Sequence, residues 1–127
     1  MKLDHLALYV EDLEKMKDFY VRYFDAKPNQ KYHNPHTGLQ TYFLSFDNGA
    51  CLEIMQRPDM SPRSSEEHPL SYVHIAFNLG SSELVNQVTK TLEEDGVPLL
   101  KGPRMTCDGY YKSVLTDPEV NLIELVA

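Results

Sequence analysis

The sequence predicts an α+β fold built from two similar half-domains, and three observations carry that prediction. A histidine and a glutamate recur at nearly the same separation, 48 residues from His5 to Glu53 and 50 from His74 to Glu124. The second pair trails the first by about half the chain, as an internal duplication would leave it. Each half also reads strand, helix, then strands. Two halves that each offer one imidazole and one carboxylate point to a single metal site assembled where they meet.

The first half opens with L-D-H-L-A-L-Y-V from Leu3, a short apolar run bounded by Glu11 and Asp12, which reads as a buried strand. Asp12 is a candidate N-cap. After it Leu13, Met16, Tyr20 and Tyr23 or Phe24 recur at helical spacing, predicting an amphipathic helix from about Asp12 to Phe24. Pro28, Asn34, Pro35 and Gly38 mark a loop or weak strand. Q-T-Y-F-L-S-F and A-C-L-E-I-M flank the turn Asp47-Asn48-Gly49, a hairpin signal.

From Gln56 to Pro69 the composition, with three prolines and three serines, is that of an exposed linker. The pattern then restarts. S-Y-V-H-I-A-F-N-L reads as a strand, and Ser81 or Ser82 can cap a helix whose Leu84, Val88 and Leu92 share a face and whose exit suits Gly96. Strands follow around V-P-L-L and Y-Y-K-S-V-L-T, then the turn D-P-E-V and a last strand N-L-I-E-L-V. The expected organisation is one domain, residues 1–127, with a first module at about 1–56, a linker at about 57–69 and a second module at about 70–127.

Strand parity places the four candidates on one functional face. His5 shares a side with Ala7 and Tyr9, while Leu6, Leu8 and Val10 point the other way, under the helix. Glu53 sits between Leu52 and Ile54, His74 between Val73 and Ile75, and Glu124 between Ile123 and Leu125. One such polar interruption is ordinary surface decoration. Four at repeat-equivalent places supply nitrogen and oxygen donors suited to Zn, Ni, Co, Mn or Fe.

Composition excludes several classes. With 127 residues and 42% hydrophobic content the chain can bury a core, and pairing with a second copy is a ready way to bury more. A formal net charge of −7 disfavours nucleic acid and anionic membranes as partners. Cys51 and Cys107 are too few and too far apart for a disulfide framework or a thiolate zinc site. The sequence has neither a run long and apolar enough for a membrane helix nor a signal-peptide pattern, so the expected address is the cytoplasm.

These pieces in their order, H-L-A-L-Y-V-E-D-L-E-K-M-K-D-F-Y-V-R-Y-F, A-C-L-E-I-M with R-P behind it, H-I-A-F, and D-P-E-V-N-L-I-E-L, resemble the vicinal oxygen chelate superfamily of glyoxalases, bleomycin-resistance proteins and extradiol dioxygenases. The resemblance covers nearly the whole chain and is strongest to glyoxalase I (lactoylglutathione lyase)-like members. It implies two tandem βαβββ modules forming a curved mixed sheet around one metal, with His5, Glu53, His74 and Glu124 at the ligand positions. It further implies a lyase or isomerase that chelates vicinal oxygens of a small α-hydroxy- or α-oxo-carbonyl compound, or its thiol hemithioacetal. A proton then moves through an enediolate with Glu124 as base and Glu53 as its near-symmetric alternative. Zinc or nickel is the first expectation for the metal, with cobalt, manganese or iron behind, and the assembly implied is a homodimer. Other activities hosted by this family are thiol transfer, dioxygenation and ligand sequestration of the bleomycin-resistance type.

The chain departs from the family pattern at three positions. Tyr9 stands where several glutathione-using members carry an arginine, Asp25 replaces a glycine after the first helix, and Val120 replaces the glycine of the final turn. Asp tolerates a left-handed backbone and Val does so poorly, so the turn before Asn121 is expected to take a different shape. Among other residues, His33, His36 and His68 read as solvent-exposed. Tyr42, Tyr110 and Tyr111 suit either a pocket wall or sheet packing, Cys51 reads as a small core thiol, and Arg104 suits either an anionic substrate or the surface.

Overall fold

The structure, a computed structural model, describes residues 3–47, 49–63, 72–107 and 109–127. The chain divides into two compact units, Met1–Pro69 and Leu70–Ala127. Each holds its own sheet, and their element orders match two βαβββ modules.

In the first unit β1 (His5–Tyr9) leads into α1 (Leu13–Phe24), then two short strands, β2 (Lys27–Pro28) and β3 (Tyr32–His33), and the hairpin β4 (Gln40–Ser45) and β5 (Cys51–Gln56). The region read as a loop or weak strand is thus two strand fragments, each paired antiparallel to β4. The sheet order is β1-β5-β4-β2. Only the β1–β5 pairing is parallel, since the chain must cross over through α1 to bring its first strand beside its last. Asp12 caps α1 by accepting from the Lys15 amide at 3.0 Å. Asp25 ends it in the left-handed region at φ +52°, where an aspartate costs little. Leu13, Met16, Phe19 and Tyr20 of α1 are buried with Leu44, Leu52 and Ile54 of the sheet. Each large apolar side chain so buried contributes about 1.5–3 kcal/mol.

The second unit repeats the plan with β6 (His74–Asn78), α2 (Ser82–Glu94), β7 (Leu99–Met105), β8 (Tyr111–Thr116) and β9 (Leu122–Val126), in sheet order β6-β9-β8-β7. Ser81 is the cap, accepting from the Leu84 amide at 3.2 Å. The buried stripe of α2 is Val85, Thr89 and Leu92, which corrects the expected stripe of Leu84, Val88 and Leu92. Leu84 is 44% exposed. The reason is Thr89, whose hydroxyl donates to the Val85 carbonyl at 2.6 Å and meets the Ser113 hydroxyl at 2.7 Å, so a polar residue sits in the core with its hydrogen bonds satisfied. Gly96, at φ +85°, takes the chain out of the helix while the Val97 amide bonds back to the Leu92 carbonyl.

Two further expectations are corrected. β7 runs on past V-P-L-L through Gly102 and Pro103, because bulges absorb residues a regular strand rejects. Val120 does adopt the left-handed conformation, at φ +66°. Asp117 holds that turn: buried, it accepts from the Glu119 and Asn121 amides at 3.0 and 2.9 Å and from Asn121 Nδ2 at 2.7 Å. These bonds outweigh the strain at Val120. Among the described residues no helix is long and apolar enough to cross a membrane.

Candidate metal centre

The parallel pairing of first and last strands builds the same arrangement twice. In the first unit His5 lies opposite Cys51 and Ala7 opposite Glu53; in the second His74 lies opposite Leu122 and Ala76 opposite Glu124. Each histidine is therefore the diagonal neighbour of its glutamate on one face, and the residue directly across from the glutamate on that parallel partner strand is an alanine. The H-x-A repeat, His5-Leu6-Ala7 and His74-Ile75-Ala76, was the sequence signal for this spacing, and parity alone did not find it.

The geometry matches in both units. His5 Nε2 stands 3.8 Å from Glu53 Oε2 and His74 Nε2 stands 3.6 Å from Glu124 Oε2. The exposures match too, with both histidine side chains 40% exposed and the glutamates 14% and 15%. Two ligands at ordinary bond lengths on a tetrahedral ion stand about 3.4 Å apart. Each pair is thus a few tenths of an ångström wider than a closed half-site, and its donor types fit a divalent metal. Among the described residues neither unit by itself gathers three His, Cys, Asp or Glu side chains that could hold one.

Neighbouring groups make the two pairs different. Asp4 Oδ2 lies 2.9 Å from His5 Nδ1. A carboxylate only accepts, so the shared hydrogen is on Nδ1, an arrangement that would leave Nε2 as the nitrogen offered to a metal. Phe43, across from Glu53, presents itself edge to face against His5 with centroids 5.4 Å apart. In the second unit Lys112 Nζ sits 3.4 Å from Glu124 Oε2. Parity arguments missed Asp4, Phe43 and Lys112, because each acts through a neighbouring residue or strand.

The His74–Glu124 pair opens into a cleft of about 580 Å³ within the second unit, lined also by Lys101, Arg104, Cys107 and Lys112. Other expected residues lie elsewhere. Tyr42 donates to Glu14 on α1, and Tyr111 donates to Asn86 on α2 at 2.8 Å, so both serve helix packing. Cys51 is half-exposed at a strand end, not a core thiol. His33 and His36 are exposed as expected, and His68 lies outside the described residues. The strongest electrostatic cluster is on α1, where Lys17 first, then Lys31 and Tyr42, hold the Glu14 carboxyl down at about 2. Tyr9, half-exposed on the His5 side of β1, lies beside Arg57, whose guanidinium pairs with Asp59 at 2.8 Å.

Comparison with known proteins identifies the family. A model of the Glyoxalase/Bleomycin resistance protein/Dioxygenase superfamily matches residues 2–125. The chain belongs to that superfamily. It is 27% identical over 124 residues to the metallothiol transferase FosB of Shouchella clausii, covering 97% of this chain and 77% of that protein. Among solved structures it resembles a glyoxalase family protein of Enterococcus faecalis with a TM-score of 0.81 at 23% identity, over 99% of this chain and 97% of the other. A variant of the FosX fosfomycin resistance protein of Listeria monocytogenes, in complex with Mn(II) and dihydroxypropylphosphonic acid, matches with a TM-score of 0.73 at 24% identity, over 99% and 91%. The trypanothione-dependent glyoxalase I of Leishmania major gives 0.79 at 22%, over 99% and 86%. The superfamily contains many metalloenzymes, among them the FosB transferase.

Proposed function

We propose that the chain is a lyase or isomerase of the glyoxalase I type, with His5, Glu53, His74 and Glu124 as ligands of one divalent metal, zinc or nickel before cobalt, manganese or iron. The observation that carries this is the repeated pair, an imidazole nitrogen facing a carboxylate oxygen at 3.8 and 3.6 Å at equivalent strand positions. When bound, the ion supplies Lewis-acid charge for a substrate's two neighbouring oxygens as an adjacent C–H proton is lost. Asp4 fixes the His5 tautomer. Glu124 takes the proton from carbon and returns it to the neighbouring carbon, with Glu53 as the alternative base. The substrate is a small α-hydroxy- or α-oxo-carbonyl compound, or its thiol hemithioacetal, and the working assembly is a cytoplasmic homodimer.

The test is metal analysis of the purified protein, followed by assay with hemithioacetals of methylglyoxal and several thiols. His74→Ala should lose bound metal, and Glu124→Gln should lose turnover. Retention of wild-type metal stoichiometry by His74→Ala would overturn the ligand set. The FosB likeness supports a second reading, thiol transfer to an electrophile at the same site. Addition of thiol to an electrophile that lacks a carbonyl separates the two.

A further inference from the structure

Side chains of a regular strand alternate between two faces, so residues three apart point to opposite sides. Lys101 and Arg104 of β7 break that rule, since both line the cleft that holds His74 and Glu124. The cause is visible in the sheet. Pairing of β7 with β8 shifts register between Leu99 and Lys101 and again between Lys101 and Arg104, and bulges of this kind re-aim side chains beside sites. Gly102 sits between them at φ +83°, with the Lys112 carbonyl so close that a Cβ would not fit. The backbone is therefore committed to this course at a position only glycine can occupy.

The result is a local reversal of charge. The chain carries a formal net charge of −7 with twelve Lys and Arg in all, yet Lys101, Arg104 and Lys112 line one cleft in which Glu124 is the only carboxylate among the described lining residues. Val73, Leu100, Val114 and Leu122 form its apolar remainder. A volume of about 580 Å³ falls within the roughly 300–1,000 Å³ of small-molecule sites.

We infer that the cleft takes a substrate bearing an oxyanion, a carboxylate or a phosphoryl group, gripped by Arg104 and Lys101. Arg104 offers a planar fork of donors that matches such a group and Lys101 a compact second charge. The anion lies at one end and the reacting carbons at the other, beside Glu124. The placing of that reacting end rests on the metal-site reading above, whereas the anion grip stands independently of it.

The test titrates acetate and methylphosphonate, by calorimetry at low ionic strength, into metal-loaded and chelator-treated protein. Wild type is compared with Arg104→Gln, with Lys101→Ala/Arg104→Ala, and with Lys90→Ala, whose side chain pairs with Glu94 on α2. One probe or the other should bind saturably, the tighter one assigning the anion type. Arg104→Gln should weaken it about tenfold and the double variant further, with Lys90→Ala as wild type and metal affinity unchanged. Arg104 and Lys101 are exposed, so these variants fold, and circular dichroism checks it. No saturable binding of either probe, or equal binding by the wild type and the double variant, overturns the inference. So does a variant effect confined to metal-loaded protein, which would assign the anion to the ion. Binding that is lost with Arg104 and Lys101 in a protein that takes up no metal would instead overturn the metal reading and leave this one standing.

Discussion

Removing the Asp4 carboxylate tests whether the first half-site is built to bind metal. Asp4 Oδ2 stands 2.9 Å from His5 Nδ1, which leaves Nε2 facing Glu53. Outer partners of this kind are worth about 10- to 100-fold in metal affinity. Asp4 is 90% exposed and His5 40%, so water competes for both groups and the expected effect lies at the low end. Asp4→Ala should weaken metal binding about tenfold, or about 1.4 kcal/mol. Asp4→Asn keeps an accepting oxygen toward Nδ1 and should lose less. His5→Ala sets the upper bound, since it removes the donor itself. The assay is competition for zinc or cobalt with a chromogenic chelator at neutral pH. Affinity of Asp4→Ala equal to wild type, beside a large loss in His5→Ala, would show that Asp4 does not orient the imidazole and refute the reasoning.

Val120→Gly should raise stability by about 1 kcal/mol, because relief of roughly 1–2 kcal/mol of left-handed strain exceeds the entropy and the little burial lost at an exposed side chain; an unchanged or lower urea midpoint would contradict this. Glu14→Gln should cost no more than about 1 kcal/mol at pH 7, given a half-exposed side chain. The Glu14 carboxyl is held below its ordinary value of 4.5, at about 2, so its contribution is complete above 4.5 and fades as pH falls toward 2. The gap in urea midpoint between wild type and variant should close over that window; a gap that persists at pH 2 argues against it. Glutathione should not be the preferred thiol, because Tyr9 offers neither charge nor donor fork and the neighbouring Arg57 is occupied by Asp59. Turnover of the glutathione hemithioacetal well ahead of those of other small thiols would reverse that conclusion.

Much of the fold was legible because local chemistry dictates it. Asp12 and Ser81 announce their helices as caps, and the alternation around Glu53 and Glu124 sets which side chains enter the core. What escaped depends on partners far along the chain. Thr89 is buried with its hydroxyl met by Val85 within the helix and by Ser113 on β8, and no helical pattern contains that second partner. The run of β7 through Gly102 and Pro103 depends on how β8 receives it, so the face of Arg104 was not readable from parity. Val120 is left-handed because Asp117 satisfies three donors around it, a network stronger than one residue's preference. At the candidate site the repeat singled out the two His–Glu pairs, while Asp4 and Lys112 became visible only as distances.

The pairing of β1 with β5 and of β6 with β9 has a consequence for how such a protein can change. Each His–Glu pair is made from the two ends of its module, and everything between them is connection. Residues added or lost in the stretch around β2 and β3, or between α2 and β7, leave the pairing of the strands that carry His5, Glu53, His74 and Glu124 unchanged. A lineage can therefore edit its loops while the His–Glu spacing is inherited intact, which makes the closure of each module's first strand against its last, more than any loop, the heritable part of the arrangement.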